Sequence, residues 1–174
     1  LNIAIKGLAY DYNLNLEIWE SDYDQISLQV FDSSSDLYSF DPDLILIFKS
    51  SHKLLQKYNL NNLERQSSFA INQIEEIENI YNTLSNNINS KIIFYNYTEI
   101  NDNVFGNFSN KVESSFLFQQ RKLNYLLMEF ALTANNLHIC DLSSLQNQIG
   151  KGNFFHTSSY INNSMVLSVD ILPL

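Results

Sequence analysis

The sequence predicts an α/β domain built on a parallel sheet, and two observations support this. Short apolar runs typical of buried strands lie at 44–48 and 91–97. Two long amphipathic stretches, 69–88 and 113–134, carry apolar residues at helical spacing. Strands that alternate with helices of this length are typical of parallel sheets.

The strongest strand signal is the stretch DPDLILIFKS, from Asp41 to Ser50. Pro42 disfavours a helical conformation at the residue before it. Five apolar residues then follow without a break, from Leu44 to Phe48. A continuous short run is typical of a strand covered on both faces, whereas a strand with one wet face alternates. We therefore expect this strand in the middle of the sheet.

The residues before this strand predict a helix, a strand and a second helix. Leu1–Asn13 has an apolar face at helical spacing, although its first residues also alternate as in a strand. Leu14–Glu20 alternates more cleanly and is expected to form a strand. Asp22 is expected to cap a helix over Tyr23–Phe31.

The residues after the long helices predict one more strand and one short helix. Leu137–Cys140 is a short apolar run closed by Asp141, and Ser143–Ile149 is a short helix that ends at Gly150. A further helical turn or two follows the strand that ends at Phe48. In total we expect four parallel strands, near 14–20, 43–48, 91–97 and 136–140, with helices on both faces of the sheet.

Length and composition are those of a globular domain, and we expect a single domain over 1–174. The formal net charge is -9 and the sequence pI is about 4.6. An acidic chain of this kind argues against a nucleic-acid partner and against an anionic membrane surface. No apolar run approaches the ~18 residues of a membrane span.

Cysteine usage and the ends of the chain give two further expectations. The single cysteine, Cys140, can form no internal disulfide, which is typical of a buried thiol in a reducing compartment such as the cytoplasm. The chain starts at Leu1, and we expect it to be a fragment of a longer protein.

Polar residues that follow the predicted strands are candidates for a binding pocket, because ligands of parallel sheets bind at the carboxyl ends of the strands. These strand-end residues are Ser50, Ser51, His52, Asn96, Thr98, Glu99 and Asp141, and His156 in the tail is a further candidate for the same pocket. Each has a structural alternative: the serines and Asp141 are typical helix caps, and Asn96 is a typical turn former. The three histidines, His52, His138 and His156, do not have the spacing of metal ligands, so no metal site is predicted.

Three sequence blocks resemble FkbH-like proteins of the HAD superfamily. The block YDQISLQVFDSSSDLYSFDPDLILIF is similar to the start of that family, and it includes Asp24 and Gln25. The block GNFSNKVESSFLFQQRKLNYLL is similar to a later segment and includes Asn107, Ser115 and Asn124. The third block, LHICDLSSL and the tail to Leu174, includes Asp141.

The resemblance implies a three-layer α/β/α domain with a flavodoxin-like, SGNH-hydrolase-like parallel sheet of strand order 2-1-3-4-5. In that register the first strand lies upstream of Leu1, so the slot between strands 14–20 and 43–48 is expected to be vacant or filled by an unusual element. The resemblance also implies a bacterial protein with a catalytic HAD domain downstream. That domain would use Mg²⁺ to transfer a glyceryl unit from a bisphosphoglycerate to an acyl carrier protein. No Asp-x-Asp-x-Thr signature of a HAD domain occurs in this chain, and no cofactor is expected in it.

Three functions are compatible with the sequence. The first is a non-catalytic accessory domain, because SGNH hydrolases need a Ser nucleophile, Gly and Asn oxyanion donors and an Asp-x-x-His pair, and none is in register here. The second is an acyl-ester or acetyl-ester hydrolase whose Ser nucleophile is missing from this fragment and which uses His156 in an altered geometry. The third is a docking module for a carrier protein, which would need a basic patch such as Lys111, Arg121 and Lys122.

Overall fold

The computed structural model describes residues 2–100, 102–155 and 167–168. The chain divides into two compact units, Leu1–Phe40 with Ile149–Leu174, and Asp41–Gln148. The single-domain assignment over 1–174 remains a prediction. No helix of the described residues is long and apolar enough to cross a membrane.

The helices and strands of the described residues alternate along most of the chain. In order they are α1 (Asn2–Asp11), α2 (Ile26–Phe31), α3 (Asp36–Phe40), β1 (Leu44–Ile47), α4 (Ser51–Asn59), α5 (Leu63–Ser67), α6 (Phe69–Asn87), β2 (Lys91–Tyr95), a 3₁₀ helix (Gly106–Lys111), α7 (Phe116–Thr133), β3 (Leu137–Cys140), α8 (Leu142–Ile149) and α9 (Lys151–Phe154). The predicted α/β class, with a parallel sheet flanked by helices, is confirmed.

The first unit confirms one predicted helix and shortens another. Helix α1 lies where the helical pattern predicts it, so the competing strand interpretation of these residues is wrong. Helix α2 begins at Ile26, not at Tyr23, because Asp24 has a left-handed φ of 62° and Gln25 closes a turn onto the carbonyl of Asp22. The predicted cap by the Asp22 side chain is therefore wrong.

The predicted strand over Leu14–Glu20 is wrong, since none of its residues belongs to a helix or a strand. An alternating pattern shows that a segment could lie on a sheet, but a strand also needs a hydrogen-bonding neighbour. Among the described residues, this segment has no ladder partner. Three of the four predicted strands are therefore present.

Within the described residues the sheet has three parallel strands in the order β1-β2-β3. Leu44 pairs in register with Lys91, and Ile92 pairs with Leu137. The prediction that the Leu44–Phe48 strand lies in the middle is wrong, because β2 takes the centre and β1 has no other strand beside it among the described residues. Leu44 and Leu46 remain 47% and 41% exposed, so β1 is not covered on both faces.

The core of the second unit lies between the other face of the sheet and two long helices. On this face the buried side chains are Ile47, Ile92, Phe94 and Leu137. Helices α6 and α7 pack against each other, and each buries one apolar face. Tyr58 of α4 joins this core with ring centroids 5.4 Å from Phe69 and 5.3 Å from Phe116. This packing places the carboxyl ends of β1 and β2 close to α4 and α7.

Candidate functional site

The hydroxyl groups of the two serines after β1 both have hydrogen-bond partners within the protein. The Ser50 hydroxyl accepts a hydrogen bond from the main-chain N–H of His52 at 3.2 Å, so Ser50 is the N-cap of α4. The side chain of Ser51 is buried, and its Oγ lies 3.2 Å from Oγ1 of Thr98. Thr98 follows β2, so this pair of hydroxyls joins the ends of two neighbouring strands.

His52 occupies the first turn of α4 and is half-buried. Burial lowers the pKa of its imidazole below the ordinary value of 6.5. The ring is therefore neutral at physiological pH.

After β2, the main chain of residues 97–100 forms hydrogen bonds with side-chain amides of helices α7 and α8. Both ends of the Asn124 amide bond to Tyr97: Oδ1 accepts from the Tyr97 N–H at 2.9 Å, and Nδ2 donates to the Tyr97 carbonyl at 2.7 Å. The Ser143 hydroxyl donates to the same carbonyl at 2.8 Å. These bonds replace a neighbouring strand, since β1 and β3 have ended at this level.

Two glutamines extend this arrangement over the next three residues, 98–100. Gln120 of α7 donates to the Thr98 carbonyl and accepts from the Ile100 N–H at 3.3 Å. Gln146 of α8 accepts from the Glu99 N–H at 2.8 Å and donates to the Glu99 carbonyl at 3.0 Å. We call Gln120, Asn124 and Gln146 the amide clamp. Because both glutamine side chains are almost fully buried, these bonds are at least partly shielded from water and fix the course of residues 97–100.

The ends of β2 and β3 are joined by a second polar network. Asn96 donates from Nδ2 to Oδ1 of Asp141 at 2.7 Å, and its Oδ1 accepts from the Ser143 N–H at 3.0 Å. The same Asp141 oxygen accepts from the Ser144 N–H at 2.9 Å, which makes Asp141 the cap of α8. Asp141 is therefore a helix cap, which is the structural alternative to a ligand-binding role.

A half-buried carboxylate lies between two lysines near the end of β1. Glu76 of α6 bonds to Lys49 at 2.6 Å through one oxygen and to Lys57 through the other. Burial favours the neutral acid and pushes the pKa of Glu76 up, but the hydrogen bonds from the two lysines outweigh it and hold that pKa below its ordinary value. The trio links β1, α4 and α6.

The remaining residues of the family resemblance are dispersed. Ser115 is the N-cap of α7, accepts from the Phe118 N–H at 3.3 Å and donates to the Ser109 carbonyl at 2.7 Å. Asn107 lies exposed in the 3₁₀ helix. Asp24 and Gln25 precede α2, in the other unit. His156 lies outside the described residues.

No metal centre is found in the described part of the chain, where no three His, Cys, Asp or Glu side chains are placed to hold an ion. The basic residues considered for carrier-protein docking are partly neutralised. Arg121 forms an ion pair with Glu99 at 2.5 Å, and Lys122 lies 3.5 Å from Glu113. This segment therefore does not present a bare basic patch.

The clamp glutamines and Gln119 were not among the predicted site residues, although the sequence held a signal for them. The apolar face of α7 repeats at Phe116, Leu123 and Leu127, and Gln119 and Gln120 fall on the same face. A polar side chain on the buried face of a helix must find partners there. The sequence could have shown that these glutamines make buried bonds, but not which main-chain groups they would reach.

Comparison with known proteins places the chain in a family. The family described as "FkbH, N-terminal domain" matches residues 1–174. The chain belongs to the FkbH N-terminal domain family. No curated protein matches it.

One solved structure has the same fold and a related sequence. It is the N-terminal part of the protein BF1531 from Bacteroides fragilis, described as containing a phosphatase domain and complexed with Mg. The TM-score is 0.91 and the sequence identity is 39%. The match covers 98% of this FkbH N-terminal domain and 44% of that chain, so the domain spans less than half of its relative.

Proposed function

We propose that this FkbH N-terminal domain is a non-catalytic accessory domain of a protein whose chemistry resides in a HAD-type phosphatase domain. The observation that supports this proposal most is that the polar residues at the strand ends have structural roles. Ser50 and Asp141 cap helices, Ser51 bonds to Thr98, and Asn96 bonds to Asp141. Groups that would bind a ligand in a parallel sheet instead bond to one another and to the main chain.

The amide clamp supports the same proposal. In a parallel sheet the ligand crevice lies beyond the carboxyl ends of the strands. Here the segment beyond the central strand is bonded by buried Gln120 and Gln146. A substrate entering this position would have to displace bonds that the fold already makes, and each buried group left unpaired costs about 1–3 kcal/mol.

The proposal for the whole protein follows the family. In it, an SGNH-hydrolase-like, flavodoxin-like domain of a cytoplasmic protein accompanies a HAD domain. The HAD domain binds Mg²⁺, takes a glyceryl group from a bisphosphoglycerate, removes phosphate and loads the thiol of an acyl carrier protein. Support comes from the relative of known structure, whose longer chain contains a phosphatase domain and a Mg complex.

An assay of the isolated chain distinguishes this proposal from the hydrolase alternative. Turnover of a short-chain nitrophenyl ester and of a nitrophenyl phosphate is measured with Mg²⁺ present. The wild type is compared with His52→Ala, His156→Ala and, as a matched control, His138→Ala, which alters an exposed residue of β3. The accessory role predicts no turnover by any variant. Ester turnover that is lost in His156→Ala or His52→Ala, but kept in His138→Ala, would establish a hydrolase.

A further inference from the structure

Helix α7 has a second regular face, on the side away from the core. Residues spaced alternately by three and four positions form one line along it, which we call the outer seam: Phe118, Arg121, Tyr125, Met128 and Leu132. The side chains of Tyr125, Met128 and Leu132 are 55%, 54% and 88% exposed. The spacing is that of the a and d positions of a coiled coil, in which two helices pack side by side.

We propose that the outer seam of α7 pairs with the same seam of a second copy of this chain, antiparallel and about a two-fold axis. If the axis passes between Leu126 and Leu127, Tyr125 of each copy packs on Met128 of the other. The aliphatic part of Arg121 then packs on Leu132 of the other copy. A two-fold interface of this kind uses one surface twice, so it must be complementary to itself.

The charges beside the seam meet this requirement. Lys122 and Glu129 lie on the same side of the seam and seven residues apart, about 10 Å along the helix. An antiparallel pair brings Lys122 of each copy beside Glu129 of the other, which gives two symmetric ion pairs. A parallel pair offers no such match, because the flanking positions on the other side are Leu117, Asn124 and Ala131.

Both charged groups can move to make these pairs. The bond of Lys122 to Glu113 is long, at 3.5 Å, and the Glu113 side chain is 63% exposed. Glu129 accepts a bond from the Tyr125 hydroxyl at 2.8 Å on the surface of the helix.

Because the chain carries a net charge of -9, the two copies repel each other at low salt. At ~0.15 M salt the screening length is about 8 Å, which weakens this long-range repulsion more than the close contacts of the seam.

Sedimentation equilibrium of the full chain at ~0.15 M salt tests the proposal. We expect a concentration-dependent dimer that is lost in Leu132→Glu and retained in Leu60→Glu, a matched change at another highly exposed leucine. Circular dichroism checks that each variant is folded, and Met128→Lys replaces Leu132→Glu if that variant is not.

Charge exchange tests the orientation. Lys122→Glu and Glu129→Lys should each weaken the dimer about tenfold, since two opposite-charge pairs become two like-charge pairs. The double variant should restore it, because the pairs are reversed and not removed. A monomeric wild type, a dimer that survives both seam substitutions, or a double variant no better than the single ones would overturn the proposal.

Discussion

Asn124 and Tyr97 are joined by two hydrogen bonds, one to the main-chain N–H and one to the carbonyl of the tyrosine. A side-chain amide has the same donor and acceptor pair as a peptide group, so Asn124 stands where the next strand of a sheet would pair. The main chain at Tyr97, two residues beyond the end of β2, is thereby hydrogen-bonded by a side chain and not by a strand.

We predict that Asn124→Ala lowers the free energy of unfolding by about 1–3 kcal/mol, because the Tyr97 N–H loses its partner in a half-buried position. The Tyr97 carbonyl keeps the Ser143 hydroxyl, which limits the loss. Urea unfolding measures the change. The matched control is Asn72→Ala, on the exposed face of α6, which should change stability by less than about 0.5 kcal/mol.

A second prediction concerns Gln119, which is fully buried and makes three hydrogen bonds. Its Oε1 accepts from the Ala70 N–H at 2.8 Å, and its Nε2 donates to the carbonyls of Ser67 and Glu113 at 2.9 and 2.7 Å. Gln119→Leu keeps the approximate volume of the side chain but leaves these main-chain groups without their partner. We expect it to lower the free energy of unfolding, measured by thermal unfolding, by about 3 kcal/mol. An equal loss in Gln148→Leu, at an exposed position of α8, would show that the cost does not come from these bonds.

The third prediction is a pH dependence at Glu76. Its folded-state pKa is lower than the ordinary 4.5, so the ion pairs contribute their full stability above 4.5 and lose it as the pH falls through the folded-state value. Glu76→Gln should therefore cost about 1 kcal/mol at neutral pH, a small value because the site is partly exposed. The difference between variant and wild type should vanish in strong acid. If the stability difference between Glu76→Gln and the wild type is the same at every pH, the charge of Glu76 does not contribute to stability.

The fourth prediction concerns His52, whose folded-state pKa is lowered by burial. The unfolded chain then binds a proton more readily than the folded one, so stability falls as the pH drops through 6.5 toward the folded-state value. A nuclear magnetic resonance titration should place the midpoint of His52 below 6.5. In His52→Gln the corresponding fall in stability should be smaller, whereas His138→Gln, at an exposed residue, should leave the His52 midpoint unchanged. A midpoint at or above 6.5 would contradict the prediction.

The helices and strands whose signals are local were predictable from the sequence. The apolar face of α6 recurs at helical spacing, and the strand signals at β1, β2 and β3 are short apolar runs. The caps were predictable as alternatives: Ser50 and Asp141 each precede a helix by one position, and their bonds reach only two or three residues along the chain. These capping bonds depend on neighbours in the chain, so the sequence alone contains the necessary information for them, whereas the bond of Asp141 to Asn96, 45 residues away, does not follow from it.

Only the tertiary structure decided which segments pair and where the buried amides bond. Leu14–Glu20 has the pattern of a strand but lies in no strand, and β1 has the composition of a central strand but lies at the edge of the described sheet. The clamp residues Gln120, Asn124 and Gln146 bond to groups 20 to 47 residues away. Periodicity shows which face of an element is buried, whereas a partner so distant in the chain is fixed only when the whole core packs.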